Sequence, residues 1–347
     1  MSPADQPSTT AVVRRPTLNA VAARAGVGRG TVSRVINGSP KVSDRSRAAV
    51  EQAIAELGYV PNRAARSLVT RRTESVALVV PDAQTRLFSE PYFSGIIRGV
   101  SAGLASAGMQ LLLVLVRDQQ EYDRLAGYLS AQRVDGVLMI AVHRDDTLPD
   151  RLDELAVPTV LAGRRGDREP LGYVRADNVG GARSAVGHLL ATGRRTVGTI
   201  TGSLDMDAAQ DRVDGYREAL RDAGVAVDEE LITDGDFTEE GGRAAMRELL
   251  RRRPGLDAVF AASDVMASGA VLELRASGRR VPDDVAVVGF DDSIVARHTD
   301  PPLTSVRQPL EEMGRTMARL LLDEIADPGS GRRAVVLPTE LVVRGSA

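Results

Sequence analysis

Short runs of Val, Leu, Ile and Ala return along the chain from residue 75 onward, as SVALVVP, MQLLLVLV, VDGVLMIAV, VPTVLAG, YVRAD, TVGTITG, AVFAASD and VAVVGFDD. Segments long enough for a helix separate most of them. This alternation constrains the fold more than any other feature. Runs this apolar fit strands covered on both faces, and parallel strands need helix-length crossovers between them. The expected class is therefore α/β with doubly wound parallel sheets. Roughly 270 residues is more than one such sheet requires, so a break near RRGDREPLGY, residues 164–173, is expected to divide the segment into two lobes. Aromatics make up only 3% of the 347 residues and Trp is absent, so the core must be aliphatic.

Composition also excludes chemistry. There is no cysteine, which removes disulfides, thiolate catalysis and Cys-ligated metals. The three histidines, His143, His188 and His298, lie far apart, so no metal and no cofactor are expected. No apolar run approaches the roughly 18 residues of a membrane span. The start, MSPADQPSTTAVVRRP, lacks the apolar core of a secretion signal, and a cytoplasmic protein is expected. The net charge of −3 conceals an asymmetry. Residues 1–72 hold 12 of the 44 Lys/Arg and 4 of the 47 Asp/Glu, leaving 32 basic and 43 acidic residues for the remainder. A basic head on an acidic body points to a polyanion met by the head alone.

The head has helical spacing of its own. Residues 1–13 are polar and aperiodic, the pattern of an irregular tail. Thr17 can cap a helix whose apolar face is Leu18, Val21, Ala22 and Ala25, and Gly26 then supplies a turn. A second short helix over Arg29–Asn37 would keep Val32, Val35 and Ile36 inward. Ser43 can cap a third, with Val50, Ile54 and Leu57 as its stripe and Gly58 as its stop. Two helices across a glycine turn form a helix-turn-helix. That leaves Arg29, Gly30, Ser33, Arg34 and Asn37 for the outer flank, where arginine can read guanine and Ser or Asn can bond base edges or phosphates. GVGRG is not a dinucleotide-binding fingerprint: its glycines fall at 26, 28 and 30, and no strand precedes it.

PTLNAVAARAGVGRGTVSRVINGSPKVSDRSRAAVEQAIAELGYVPNRAARSL, residues 16–68, closely resembles the DNA-binding head of the lactose-repressor (LacI/GalR) family. Ala20 stands where that family usually has Asp, and Gly28 where it usually has Ser. The missing serine removes a cap and a phosphate contact, and Gly30 leaves Arg29 to carry most base discrimination at that end. The resemblance implies DNA contacts by Thr17, Arg29, Gly30, Thr31, Ser33, Arg34 and Asn37. It also implies a hinge helix within 61–73, where Asn62, Arg63 and Ala65 lie and Leu68 would wedge into a minor-groove step. So short a helix would order only on DNA.

In doubly wound sheets, ligands bind beyond the carboxyl ends of strands. Tyr92, Phe93, His143, Arg164, Asp177, Ser263, Asp264 and Asp291 sit at such ends, although each acid could equally cap the next helix. The body resembles the same family throughout, in ITGSLDMDAAQDRVDGYREAL, GDFTEEGG, VAVVGFDD and DPPLTSVRQP. The resemblance implies a periplasmic-binding-protein-like core with an effector between its lobes. Arg212 matches the arginine that clamps effector oxygens, Asp291 the accepting carboxylate and Phe237 the aromatic platform. Tyr92 and Phe93 match an aromatic pair of the purine-binding branch, and Gln308 lies at the lobe crossover. Ser263 replaces an Asn of some members. A carboxylate, an arginine and an aromatic wall suit a polyol, so a sugar effector is expected, with a purine or another small metabolite as the alternative.

The expected organisation is a tail over 1–13, a helix-turn-helix domain over 14–60, a hinge over 61–73 and a core over 74–347. The N-lobe is expected at about 74–174 plus 305–320, and the C-lobe at about 175–304 plus 321–345. The expected function is a transcriptional regulator, as a repressor. It would bind a pseudo-palindromic double-stranded operator as a homodimer and be released by its effector. No membrane association and no enzymatic activity are expected: neither a nucleophile–base pair nor a phosphate-binding loop is present. The alternatives are a cytoplasmic sugar-binding protein and a purine-type regulator that needs a corepressor.

Overall fold

The structure, a computed structural model, describes residues 16–60, 72–81, 90–116, 119–131 and 133–347. The chain divides into two compact units between Thr73 and Glu74.

The first unit holds α1 (Leu18–Ala25), α2 (Arg29–Ile36) and α3 (Asp44–Leu57). Thr17 caps α1 by accepting from Ala20 N at 3.3 Å, and Ser43 caps α3 by accepting from Ser46 N at 3.3 Å. Gly26 ends α1 in the left-handed region at φ 68°, where a side chain would be strained. Val21, Ala22, Val32, Val35, Val50, Ala53 and Tyr59 form the buried core, with Val27 and Ile36 packed against it.

The second unit begins with a sheet. Its elements are β1 (Ser75–Pro81), α4 (Pro91–Ser106), β2 (Gln110–Val116), α5 (Gln119–Ser130), β3 (Gly136–Met139), α6 (Leu148–Glu154), β4 (Thr159–Ala162) and β5 (Gly172–Ala176). The chain then crosses to a second lobe. This contains α7 (Asn178–Ala191), β6 (Val197–Thr201), α8 (Asp207–Asp222), β7 (Ile232–Asp234), α9 (Glu239–Arg252), β8 (Ala258–Ala261), α10 (Asp264–Ala276), β9 (Ala286–Asp291), α11 (Ile294–His298) and β10 (Thr304–Arg307). It crosses back for α12 (Leu310–Ala326) and β11 (Ala334–Leu337), and once more for β12 (Glu340–Val342). The sheet orders are β11-β5-β4-β3-β1-β2 and β12-β10-β9-β8-β6-β7. All pairings are parallel except β10 with β12. Strands β3, β4, β6 and β8 are buried along their whole length, as their apolar sequences require.

The lobe bounds differ from expectation. Residues 304–307 pair with β9 in the C-lobe sheet rather than returning to the N-lobe, and β5 carries the first N-lobe segment on to Ala176. Residues 321–337 belong to the N-lobe, not the C-lobe. The reason is that α12 cannot be divided at residue 320. Met313, Met317, Leu320 and Leu321 make one buried stripe, which must cover one sheet. Its packing on α4 is backbone-close. A Cβ at Gly99 would stand 2.1 Å from the Glu311 carbonyl oxygen, and one at Gly314 2.3 Å from that of Ile96.

Candidate functional site

Each unit carries one candidate site. In the head, α2 starts at Gly28, which offers no side-chain cap. Val32 and Val35 face the core, while Arg29, Gly30, Arg34 and Asn37 are exposed and Thr31 and Ser33 are half-buried. A Cβ built on Gly30 would meet nothing within 4 Å, so this end of the helix is open to approach. Asn37 Nδ2 donates to Ser33 Oγ at 3.5 Å, one turn back on the same flank. Thr17, expected as a DNA contact, spends its hydroxyl as the α1 cap. Asn62, Arg63, Ala65 and Leu68 lie outside the described residues.

In the second unit a cleft opens between the lobes, with about 780 Å³ of empty space including its mouth. It lies where the strand order reverses in both sheets. Tyr92 and Phe93 come from the start of α4 after β1, and Ala141 and Val142 follow β3. Met206, Asp207 and Arg212 follow β6, and Ser263 follows β8. Doubly wound sheets bind ligands at this point because diverging loops leave a crevice there.

The deep wall is built around Arg212. Its guanidinium donates from Nε to Asn178 Oδ1 at 3.0 Å and from Nη1 to the Ala262 carbonyl. It stacks 3.9 Å over the Phe290 ring and 6.0 Å from the Phe237 ring. Burial lowers its pKa, opposed by the charge of Asp291. Asp291 Oδ1 accepts from Gln308 Nε2 at 2.6 Å, which ties the carboxylate to the interlobe crossing. Desolvation raises the Asp291 pKa, partly offset by Arg212. Phe237 sits in the left-handed region at φ 54°, with its ring lying where a Cβ on Gly202 would be, 1.9 Å from Cζ. Tyr92 meets Phe93 edge to face, with centroids 5.4 Å apart.

Eight of the expected effector residues therefore line the cleft: Tyr92, Phe93, Arg164, Arg212, Phe237, Ser263, Asp291 and Gln308. Three do not. Asp177 caps α7, accepting from Gly180 N at 3.0 Å. Asp264 is fully buried behind the wall, accepting from Ser305 Oγ and from Ser293 N at 2.6 Å. His143 turns its Nδ1 to Asp205 Oδ2 at 2.6 Å. Asp292 points away from the cleft, to Arg307 and Arg344, as expected for neighbours at a strand end. Asn178, which follows the strand run YVRA, also lines the cleft, whereas sequence reasoning missed Arg175, Met206 and Asp207. Arg175 had a signal, being the one cation inside the run YVRAD.

Comparison with known proteins settles the family. Residues 17–62 match the family described as "Bacterial regulatory proteins, lacI family", and residues 186–347 match the "Periplasmic binding protein-like domain". The HTH-type transcriptional regulator CelR of Thermobifida fusca is 57% identical over 335 residues, covering 96% of this chain and 98% of the relative. The chain belongs to the LacI family of bacterial regulatory proteins. The HTH-type transcriptional repressor CytR of Escherichia coli K12 is 34% identical over 331 residues, with 95% and 96% covered. Among solved structures, a transcriptional regulator CelR–cellobiose complex aligns with TM-score 0.78 at 55% identity, covering 96% of this chain and all of the other. The lac repressor dimer bound to operator and the anti-inducer ONPF aligns with TM-score 0.85 at 27% identity, over 96% and 99%. This LacI-family member is thus a DNA-binding transcriptional regulator with a helix-turn-helix head and a two-lobed core. None of its helices, among the described residues, is long and apolar enough to cross a membrane.

Proposed function

We propose that this regulator is a cytoplasmic repressor. It binds a pseudo-palindromic operator as a homodimer, through α2 and the hinge, and cellobiose entering the interlobe cleft releases it. The arrangement of Arg212, Asp291 and Phe237 around one cleft carries this reading. Sugar hydroxyls both donate and accept, so they need a carboxylate beside a guanidinium, and the apolar face of a pyranose needs a ring to stack on. The choice of cellobiose follows the 57% identity to CelR, whose homologous structure holds that sugar. The relatives are transcriptional regulators, which supports reading the sugar as an effector that is bound and not turned over.

The homodimer is supported by the edge strand β2, where Leu112, Leu113 and Leu115 stay 37–45% exposed. Among the described residues β2 is the last strand of its sheet, and an apolar edge of this kind invites a partner in solution. Release follows if the sugar favours the closed cleft and the closed cleft disfavours paired heads. Gel shifts on an operator fragment with rising cellobiose test this: the complex should dissociate, with the sugar recovered intact. Tighter binding would reverse the sign, and indifference to cellobiose would remove it as effector. The Tyr92–Phe93 pair favours a purine as the second reading, and the same titration with nucleobases tests it.

A further inference from the structure

The cleft has a second polar end that the Arg212–Asp291–Phe237 wall does not explain. It lies at the seam between the lobes. Arg164, after β4, and Arg175, in β5, come from the N-lobe. Asp207, the first residue of the 16-residue α8, comes from the C-lobe. All three line the cleft. Arg164 and Arg175 both reach Asp211, one turn further along α8, and Arg144 Nε donates to Asp207 Oδ1 at 2.7 Å. The charges are therefore compensated, but the hydrogen bonds are not. Asp207 is only 4% exposed, yet its Oδ2 accepts no hydrogen bond, and neither Arg164 Nε nor Arg175 Nε donates one. Arg164 Nε and Asp207 Oδ2 lie 3.0 Å apart but are not aligned for a bond. The start of α8 adds no side-chain cap either, since the Met206 side chain has no oxygen to offer.

Arg175 Nε is left without an acceptor, and the Arg164 Nε–Asp207 Oδ2 ion pair at 3.0 Å is left without an aligned hydrogen bond. Such groups are costly at a buried seam, and native structures rarely tolerate them without a ligand or water. A hydroxyl is the group that meets both needs, because it donates to the carboxylate while accepting from a guanidinium. A carboxylate ligand would meet Asp207 unfavourably, and an amine would meet the arginines.

We infer that Arg164, Arg175 and Asp207 form a second sugar subsite, which takes the hydroxyls of the second ring of a disaccharide while the first ring lies at the Phe237 wall. This rests on the reading that the cleft holds a sugar. Since its donors come from one lobe and its acceptor from the other, the second ring bridges the seam, and the subsite makes the cleft selective for a disaccharide over a single ring.

The test is calorimetry of the full-length chain with cellobiose and with methyl β-glucoside, the weaker ligand being followed by saturation-transfer NMR. The unaltered chain should prefer cellobiose. Arg175→Gln should lose about tenfold or more in cellobiose affinity, the size of one charge-assisted hydrogen bond, with less than about threefold change for the glucoside. Asp207→Asn, close in shape and safer for folding, should show the same selective loss, whereas Arg212→Gln should lose both ligands. Equal losses of the two sugars in Arg175→Gln and Asp207→Asn, or no loss, would overturn the subsite and leave only an ion-paired seam. An unaltered chain that binds both sugars alike would also overturn it. One that binds neither would sink the sugar reading itself.

Discussion

Gly202 decides where Phe237 can lie. The ring occupies the space of the missing side chain, and the left-handed backbone at Asp236 and Phe237, φ 48° and 54°, delivers it there. Even the methyl of Ala must displace the ring, an overpacking that costs about 1–3 kcal/mol in comparable cores. Gly202→Ala should therefore weaken cellobiose binding tenfold or more in calorimetry, with operator affinity in the absence of sugar unchanged. Normal sugar affinity would show that Phe237 is not the platform. Single residues at strand ends were readable because doubly wound sheets place ligands there, and Asp291 and Arg164 fall in the cleft on that rule. The rule cannot tell a cap from a ligand contact, which depends on side-chain rotation. Asp177 turned back to cap its helix, and Asp264 turned inward to Ser305 and Ser293. Asp207 escaped notice because it lies several residues past β6, at a helix start that only the fold brings to the seam.

At the scale of elements, legibility followed length and punctuation. The recognition helix α2 is only 8 residues, but glycines bracket it and Val32, Val35 and Ile36 mark its inner side, so its outer flank was readable. Strands β7, β10, β11 and β12 were not among the expected runs. They span only three or four residues, and β7, β10 and β12 carry mixed polar sequence while β11 is the bare apolar run AVVL, so no local pattern of sufficient length declares them. The open end of α2 also sets an expectation for base reading. With Gly30 bare, Arg29 is the one long side chain of the first helical turn. Arg29→Ala should cost about 1–3 kcal/mol on the preferred operator and less on sequences altered at one base pair, as read by competition gel shifts. An equal loss on every sequence would reduce Arg29 to a phosphate contact.

For the whole molecule, the two lobes were foreseeable from the amount of α/β sequence, but the path between them was not. The three crossings depend on which sheet buries the stripe of α12. They bring Gln308 to Asp291, and β10 sets Ser305 against Asp264. The result is a pair of desolvated acids in the C-lobe, Asp264 fully buried and Asp291 half-buried in the cleft wall. Burial raises the pKa of both, and for Asp264 the neighbouring charge of Asp291 raises it further. A folded-state pKa above the unfolded value means that the fold prefers the protonated form. Stability from this pair is fully present below the ordinary carboxylate range, near 4, and is lost as pH rises from there through the raised folded values. The arginine-paired carboxylates Glu229, Glu248 and Asp284 act in the opposite sense. Their pKa values are lowered by those partners, so their contribution is lost only as pH falls. Asp264→Asn separates the two effects. It retains an acceptor for Ser293 N–H and presents an amide to Ser305 Oγ, but it no longer has to bury a charge. Thermal unfolding of the full chain between pH 5 and 8 should show the melting temperature of the core transition falling with pH more steeply in the unaltered protein than in Asp264→Asn, the difference in unfolding free energy growing by up to about 1.4 kcal/mol per pH unit for one group. Parallel profiles would mean that Asp264 enters the fold already ionised, and that Ser305 and Ser293 suffice to hold its charge.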